Sequence, residues 1–298
     1  MSLINITNLT FAYEGGYNNV FENVSFQLDT DWKLGFVGRN GRGKTTFLKL
    51  LMGEYEYKGN ISASVDFEYF PYEVRDINLN GLEVAEGIFP SLQYWQIVKE
   101  LNILETDEGF LHRPFYTHSG GERAKLLLAA MFLKENSFLL IDEPTNHLDI
   151  TGREVVSRYL GGKKSFILVS HDRAFLDGCA DHILSINKAD IEVIKGNFSV
   201  WLENKERKDS FELAENSKLK REIKQLESTA KEKRFWSDTA EGGKIGIDPL
   251  KVDNKKGHRA KESARAKKIM ARAKAIESRR ESAIKEKSQL LKNIESAD

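Results

Sequence analysis

The chain has 298 residues, 40% hydrophobic and 30% charged, enough for one ordinary globular core plus an extended part. Its 45 basic and 45 acidic residues cancel formally, yet from Lys205 onward 26 Lys and Arg stand against 17 Asp and Glu, so the tail carries +9 and the rest −9. The single cysteine, Cys179, excludes a disulfide framework, and the sequence has neither a bilayer-spanning apolar run nor a signal peptide at Met1 to Leu9, so a soluble, cytoplasmic protein is expected.

In chain order, Phe11-Ala12-Tyr13 comes first, where Tyr13 either stacks on an adenine or belongs to the core. Leu34 to Val37 reads as a buried strand, and Thr45 to Met52 as a helix ending before Gly53. Between them Gly38-Arg39-Asn40-Gly41-Arg42-Gly43-Lys44-Thr45 matches the phosphate-loop spacing GxxxxGK[ST]. Backbone N–H groups of such a loop converge on phosphate oxygens at the positive end of the helix. Lys44 then neutralises the β- and γ-phosphates, and Thr45 offers its hydroxyl to Mg²⁺.

Ser119-Gly120-Gly121-Glu122 opens a second helical pattern, Gly120 to Leu133. Ser119 with Glu122 is a plain capping box, and the same helix start with two glycines also exposes N–H groups to a phosphate. The domain's own phosphate loop is served by its own helix, so a phosphate at Ser119 must arrive from a second ATPase unit. The strand Phe138 to Ile141 ends on Asp142-Glu143: Asp142 is placed to hold Mg²⁺ through water, and Glu143 to orient the attacking water as catalytic base. The strand Phe166 to Val169 leads into Ser170-His171-Asp172, where His171 is placed to bond the γ-phosphate and Asp172 to cap the next helix. Strands alternating with helices predict an α/β domain with a mostly parallel sheet, ending near Trp201.

Beyond it Leu219, Ile223, Leu226 and Ala230 keep one heptad register, and Ile269, Ala273, Ile276, Ala283, Leu290 and Ile294 fit another. Gly242, Gly243, Gly246, Pro249 and Gly257 interrupt them, predicting an antiparallel helical hairpin. Arms of about 30 residues reach roughly 45 Å at 1.5 Å per residue. Phe235, Trp236 and the basic run from Lys255 to Lys274 fit its tip equally to an RNA-binding surface and to a solvated charged face.

The order of these motifs resembles the ATP-binding cassette (ABC) superfamily over residues 3 to 200. IDEPTNHLD at Ile141 to Asp149, SHDRAFLD at Ser170 to Asp177 and GNFSVWLENK at Gly196 to Lys205 are similar to the soluble ABC-F subgroup. The resemblance implies a P-loop cassette with a helical subdomain over 1–202, and a basic interdomain linker over 203–298 whose hairpin tip lies near 235–260. It implies ATP and Mg²⁺ as ligands, ATP hydrolysis at a site completed by a second cassette, and ribosomal RNA and tRNA as partners of the linker, with no membrane partner. The chain would supply the first cassette and linker alone.

FVGRNGRGKTT and NLTFAY are further similar to the branch that protects ribosomes from lincosamides, streptogramin A and pleuromutilins. The alternatives are a housekeeping ABC-F translation factor, a DNA-associated coiled-coil ATPase, or a transporter subunit. By the ABC-F resemblance Lys44, Thr45, Asp142, Glu143 and His171 serve the chain's own nucleotide, with Tyr13, Gly38 to Gly43, Thr46 and Tyr72 as further candidate contacts. Ser119 to Glu122 contact the partner's, and Asp149 communicates across the interface. Two positions depart from the pattern. Tyr72 stands where the family has Gln, leaving Glu73 as a substitute, and His118 stands where a Leu precedes Ser119, which either weakens the trans contact or repacks the helix start.

Overall fold

The strand Lys33–Val37 lies inside the larger of two sheets, and its two faces divide the core. The computed structural model describes residues 2–15, 18–187, 191–242, 268, 271–272, 274–276, 278–279 and 281–285. It forms two units, Met1–Asn204 and Lys205–Asp298.

In the first unit the strands are β1 (Leu3–Phe11), β2 (Phe21–Asp29), β3 (Lys33–Val37), β4 (Lys58–Ser62), β5 (Asp66–Phe70), β6 (Ser137–Asp142), β7 (Phe166–Val169), β8 (His182–Ile186) and β9 (Ile191–Lys195). The helices are α1 (Lys44–Leu51), α2 (Gly81–Ile88), α3 (Tyr94–Ile103), α4 (Gly120–Leu133), α5 (Ile150–Gly161) and α6 (Arg173–Cys179), and α7 (Phe198–Gly242) runs out of the unit. The large sheet has the order β5-β6-β7-β3-β8-β9 and is parallel except for the β8–β9 pair. This is the mostly parallel α/β sheet read from the strand–helix alternation.

Because side chains alternate along a strand, Leu34 and Phe36 pack with Phe47 and Leu48 of α1 and Ile4 and Ile6 of β1, while Val37 joins the opposite cluster with Leu126, Val155 and Phe175. Leu140 and Leu139 of β6 split the same way. The parallel strands are near-continuous apolar runs because both faces are covered. The antiparallel sheet β2-β1-β4 and the helices α2 and α3 were not read from the sequence. The strand boundaries shift by one residue at β3 and β6, within the usual spread of end assignment.

Within the helical layer, Glu100 of α3 is 7% exposed yet hydrogen-bonded. Its Oε2 accepts the Tyr159 hydroxyl at 2.6 Å and Lys163 Nζ at 2.6 Å, tying α3 to α5 and the residues after it. Tyr159→Phe, which removes one of two donors to a buried carboxylate, should cost about 1–3 kcal/mol in urea unfolding. An unchanged midpoint would show that the Glu100–Lys163 pair suffices. Cys179 is buried on α6, its thiol bonded to the Phe175 carbonyl at 3.1 Å, and burial pushes its pKa up to about 12, so it is packing rather than chemistry.

In the second unit α7 continues to Gly242. Leu219, from the first predicted register, and Ala283, from the second, are buried, as is Asn216, whereas Phe211, Leu213, Phe235 and Ile284 are exposed. Of the predicted hairpin tip near 235–260, residues 243–260 lie outside the described residues, as do Ile269, Ala273, Leu290 and Ile294. Among the described residues no helix is long and apolar enough to cross a membrane.

Candidate nucleotide site

Three neighbouring parallel strands, β3, β7 and β6, end at the same edge of the sheet, and each end delivers a polar group. Ligands bind outside the carboxyl ends of strands in open α/β sheets. After β3 the chain turns through Gly38 to Gly43 and enters α1 at Lys44. Gly43 caps α1 with φ of 93°, and a Cβ there would lie 2.6 Å from Val20 Cγ1, so both backbone and space demand glycine. The loop is curled by three positive-φ glycines, Gly38, Gly41 and Gly43, the geometry in which N–H groups form an anion nest.

Lys44 Nζ donates to the carbonyls of Gly38 at 2.7 Å and Arg39 at 3.3 Å and to Asn40 Oδ1 at 3.5 Å. Burial lowers its pKa, opposed by the nearby carboxylates of Glu143 and Asp142. Thr45 donates its hydroxyl to Asp142 Oδ2 at 2.9 Å, joining the loop to the end of β6. Thr46 is buried, and its Oγ1 shares a hydrogen bond of 2.6 Å with the Tyr13 hydroxyl. Tyr13 is 47% exposed, with Phe11 and Tyr55 in edge contact, so it stands at the rim beside α1 and outside the core.

Glu143 follows Asp142 with φ of 51°, a left-handed conformation unusual for glutamate. Its Oε1 is buried without a hydrogen-bond partner among the described residues, and His171 Nε2 stands 3.5 Å away. Burial raises its pKa, with His171 pulling the other way. His171 itself is largely exposed. Asp172 caps α6 by accepting Phe175 N–H at 3.1 Å and meets Arg153 of α5 at 3.2 Å. A desolvated carboxylate with one oxygen left without a hydrogen bond, next to a phosphate loop, is chemically suited to bond a water.

The donor set fits Mg²⁺ held jointly with phosphates. Among the described residues no three or more His, Cys, Asp or Glu are arranged to hold a metal ion by themselves, so a hard cation would find one carboxylate, Asp142, and one hydroxyl, Thr45, and would take its remaining oxygens from nucleotide and water.

Ser119 to Glu122 and Asp149 form a second group. Ser119 Oγ accepts Glu122 N–H at 3.2 Å, and Glu122 Oε2 accepts Ser119 N–H at 2.7 Å, the complete capping box. A Cβ on Gly120 would lie 2.8 Å from His147 Cβ, so this glycine is also required by the loop leading to Asp149. Asp149 caps α5 through Gly152 N–H at 2.8 Å. Tyr72 is exposed in the loop after β5. His118, 4% exposed, bonds the Phe110 carbonyl at 3.0 Å through Nε2 and packs on the Phe110 ring at 3.9 Å, with burial lowering its pKa. It is therefore packed into the start of α4. Tyr69 was missed by sequence reasoning: its hydroxyl donates to Asp142 Oδ2 at 3.0 Å, and burial and that carboxylate raise its pKa, so it remains a donor.

Residues 21–146 match the family model described as ABC transporter. The chain is 29% identical over 283 residues to Ribosome protection protein VmlR of Bacillus subtilis, covering 94% of this chain and 48% of that protein. It is also 29% identical over 206 residues to ABC transporter F family member 3 of Arabidopsis thaliana, covering 66% of this chain and 28% of the relative. The chain spans between about a quarter and just over half the length of the curated relatives it matches. A solved ABC transporter in an inward-facing conformation superposes with a TM-score of 0.54 at 23% identity, covering 65% of this chain and 83% of that one, a likeness of fold. The first unit has the P-loop fold of an ABC cassette.

Proposed function

We propose that this chain, whose first unit has the fold of an ABC cassette, is the ATP-binding and ATP-hydrolysing half of an ABC-F protein that acts on the ribosome. The observation that carries the nucleotide reading is the Thr45–Asp142 contact, which brings the phosphate loop against the strand end bearing Glu143. Lys44 and the loop N–H groups bind the phosphates. Thr45 and Asp142 hold Mg²⁺, which when bound neutralises developing charge on the phosphates. Glu143 orients the attacking water and takes its proton, and His171 bonds the γ-phosphate. Ser119 to Glu122 present helix N–H groups to the nucleotide of a second cassette, supplied by further chain or by a second copy head to tail, with Asp149 at the junction.

The ribosomal reading rests on the ABC-F motifs, on the basic tail and on the relative named as a ribosome protection protein. The charge of +9 from Lys205 onward suits an RNA phosphate surface. We assign protection from ribosome-targeting antibiotics as its use, over a housekeeping role, from the resemblance to the resistance branch. The test is co-sedimentation of the protein with 70S particles in ATP, with Glu143→Gln to hold the nucleotide uncleaved. ATP-dependent pelleting is expected. A chain that stays in the supernatant in both forms would overturn the ribosomal reading and leave the nucleotide site standing.

A further inference from the structure

The strand β5 supplies a residue to the cation half of this site. In the parallel pairing Tyr69 lies opposite Leu140, and Asp142 is two residues further along β6, on the same face as Leu140. Diagonal neighbours at that offset are about 7–8 Å apart, within reach of an aromatic side chain and out of reach of a short one. The Tyr69 hydroxyl closes the distance, donating to Asp142 Oδ2 at 3.0 Å, and Thr45 donates to the same oxygen at 2.9 Å. Its ring is part-buried against the core face that holds Phe47 and Leu140, which fixes the direction from which the hydroxyl arrives.

Resting on the nucleotide reading above, we propose that Tyr69 is a positioning residue for Mg²⁺: it pins Asp142 through Oδ2, so that Asp142 Oδ1 and the Thr45 oxygen are kept as acceptors for the cation's shell. The chemistry follows from who donates. Thr45 spends its hydrogen on Asp142 and keeps its lone pairs, and Tyr69 spends its own hydrogen on the same oxygen. Two donors on one carboxylate oxygen restrict rotation of the carboxylate about its final bond, which is broad when unrestrained. The other oxygen has no share in either bond. Tyr72, three residues on, is exposed, so the contact from this segment to Asp142 comes from Tyr69.

The test uses the full chain and a fluorescent ATP analogue, titrated with Mg²⁺ at fixed nucleotide and separately in EDTA. Tyr69→Phe keeps the ring and its packing while removing the donor. The Mg²⁺ concentration at half-maximal binding should rise roughly three- to tenfold, as expected from the net worth of one intramolecular hydrogen bond. Affinity in EDTA should stay as in the parent. In an Asp142→Asn background the same substitution should add nothing to the Mg²⁺ midpoint. An unchanged midpoint beside a Mg²⁺-responsive parent overturns this inference alone, as does an affinity loss equal with and without Mg²⁺, which would mark Tyr69 as packing only. A parent whose nucleotide binding ignores Mg²⁺ overturns the cation site and this inference together.

Discussion

Glu143→Gln is expected to slow ATP turnover by roughly 10²–10⁴-fold, the range for removing a general base, while nucleotide binding persists. Glutamine has the shape of glutamate but cannot accept the proton of an attacking water. The position is costly to maintain: its backbone is left-handed and its Oε1 is buried without a partner among the described residues. Steady-state phosphate release beside equilibrium binding of a fluorescent nucleotide separates the two effects. Turnover within a few-fold of the parent would remove Glu143 from the chemistry.

The same substitution carries a second, opposite consequence for the protein without nucleotide. Burial raises the folded-state pKa of Glu143 above its unfolded value, so between those two values the folded chain binds more protons than the unfolded one. Stability contributed there falls as pH rises through that window, and at neutral pH the ionised carboxylate is a net burden. Glu143→Gln should therefore melt higher than the parent at pH 7–8, with the gap closing on acidification toward the ordinary carboxylate range. A residue that lowers stability where it would serve catalysis is the signature of a functional site rather than of packing.

The strand-end residues of the site were readable because each follows an apolar run directly: Gly38 after Val37, Asp142 after Ile141, and Ser170-His171 after Val169. Such junctions need no knowledge of strand order. Tyr69 was not readable, because its reach to Asp142 depends on which residue of β6 lies opposite, and register is set by tertiary pairing. Glu100 and Lys163 are separated by 63 positions and meet only once α3 packs on the α5 side, so no local pattern announces them. β4, with the sequence KGNIS and largely exposed, has almost no hydrophobic period to detect, and the small sheet was lost with it. Gly120 shows the converse. A glycine at the start of α4 has an obvious anion-binding interpretation, yet the contact with His147 requires it independently of any ligand.

Lys44→Ala and Ser119→Asp should each abolish most turnover, and mixing the two chains should restore a substantial part of it if two copies pair head to tail. Lys44→Ala removes the ammonium that sits over Gly38 and Asn40, and with it charge-assisted bonds to phosphate worth about 1.5–3 kcal/mol each, so nucleotide affinity should fall at least roughly 10- to 100-fold. Ser119→Asp is chosen because aspartate caps a helix about as well as serine, so α4 stays capped while a negative charge stands where the partner's phosphate must arrive. Its own phosphate loop is untouched, and its nucleotide affinity should match the parent. In a mixed pair one site combines both defects, and the other combines an intact loop with an intact Ser119 to Glu122. Recovery of phosphate release on mixing, rising with total protein concentration, is therefore expected only for a composite site built from two copies. If the mixture shows no more than the average of the separate variants, a second copy is excluded as the completing cassette. Full turnover by Ser119→Asp alone would mean that the helix start at Ser119 is a cap and nothing more.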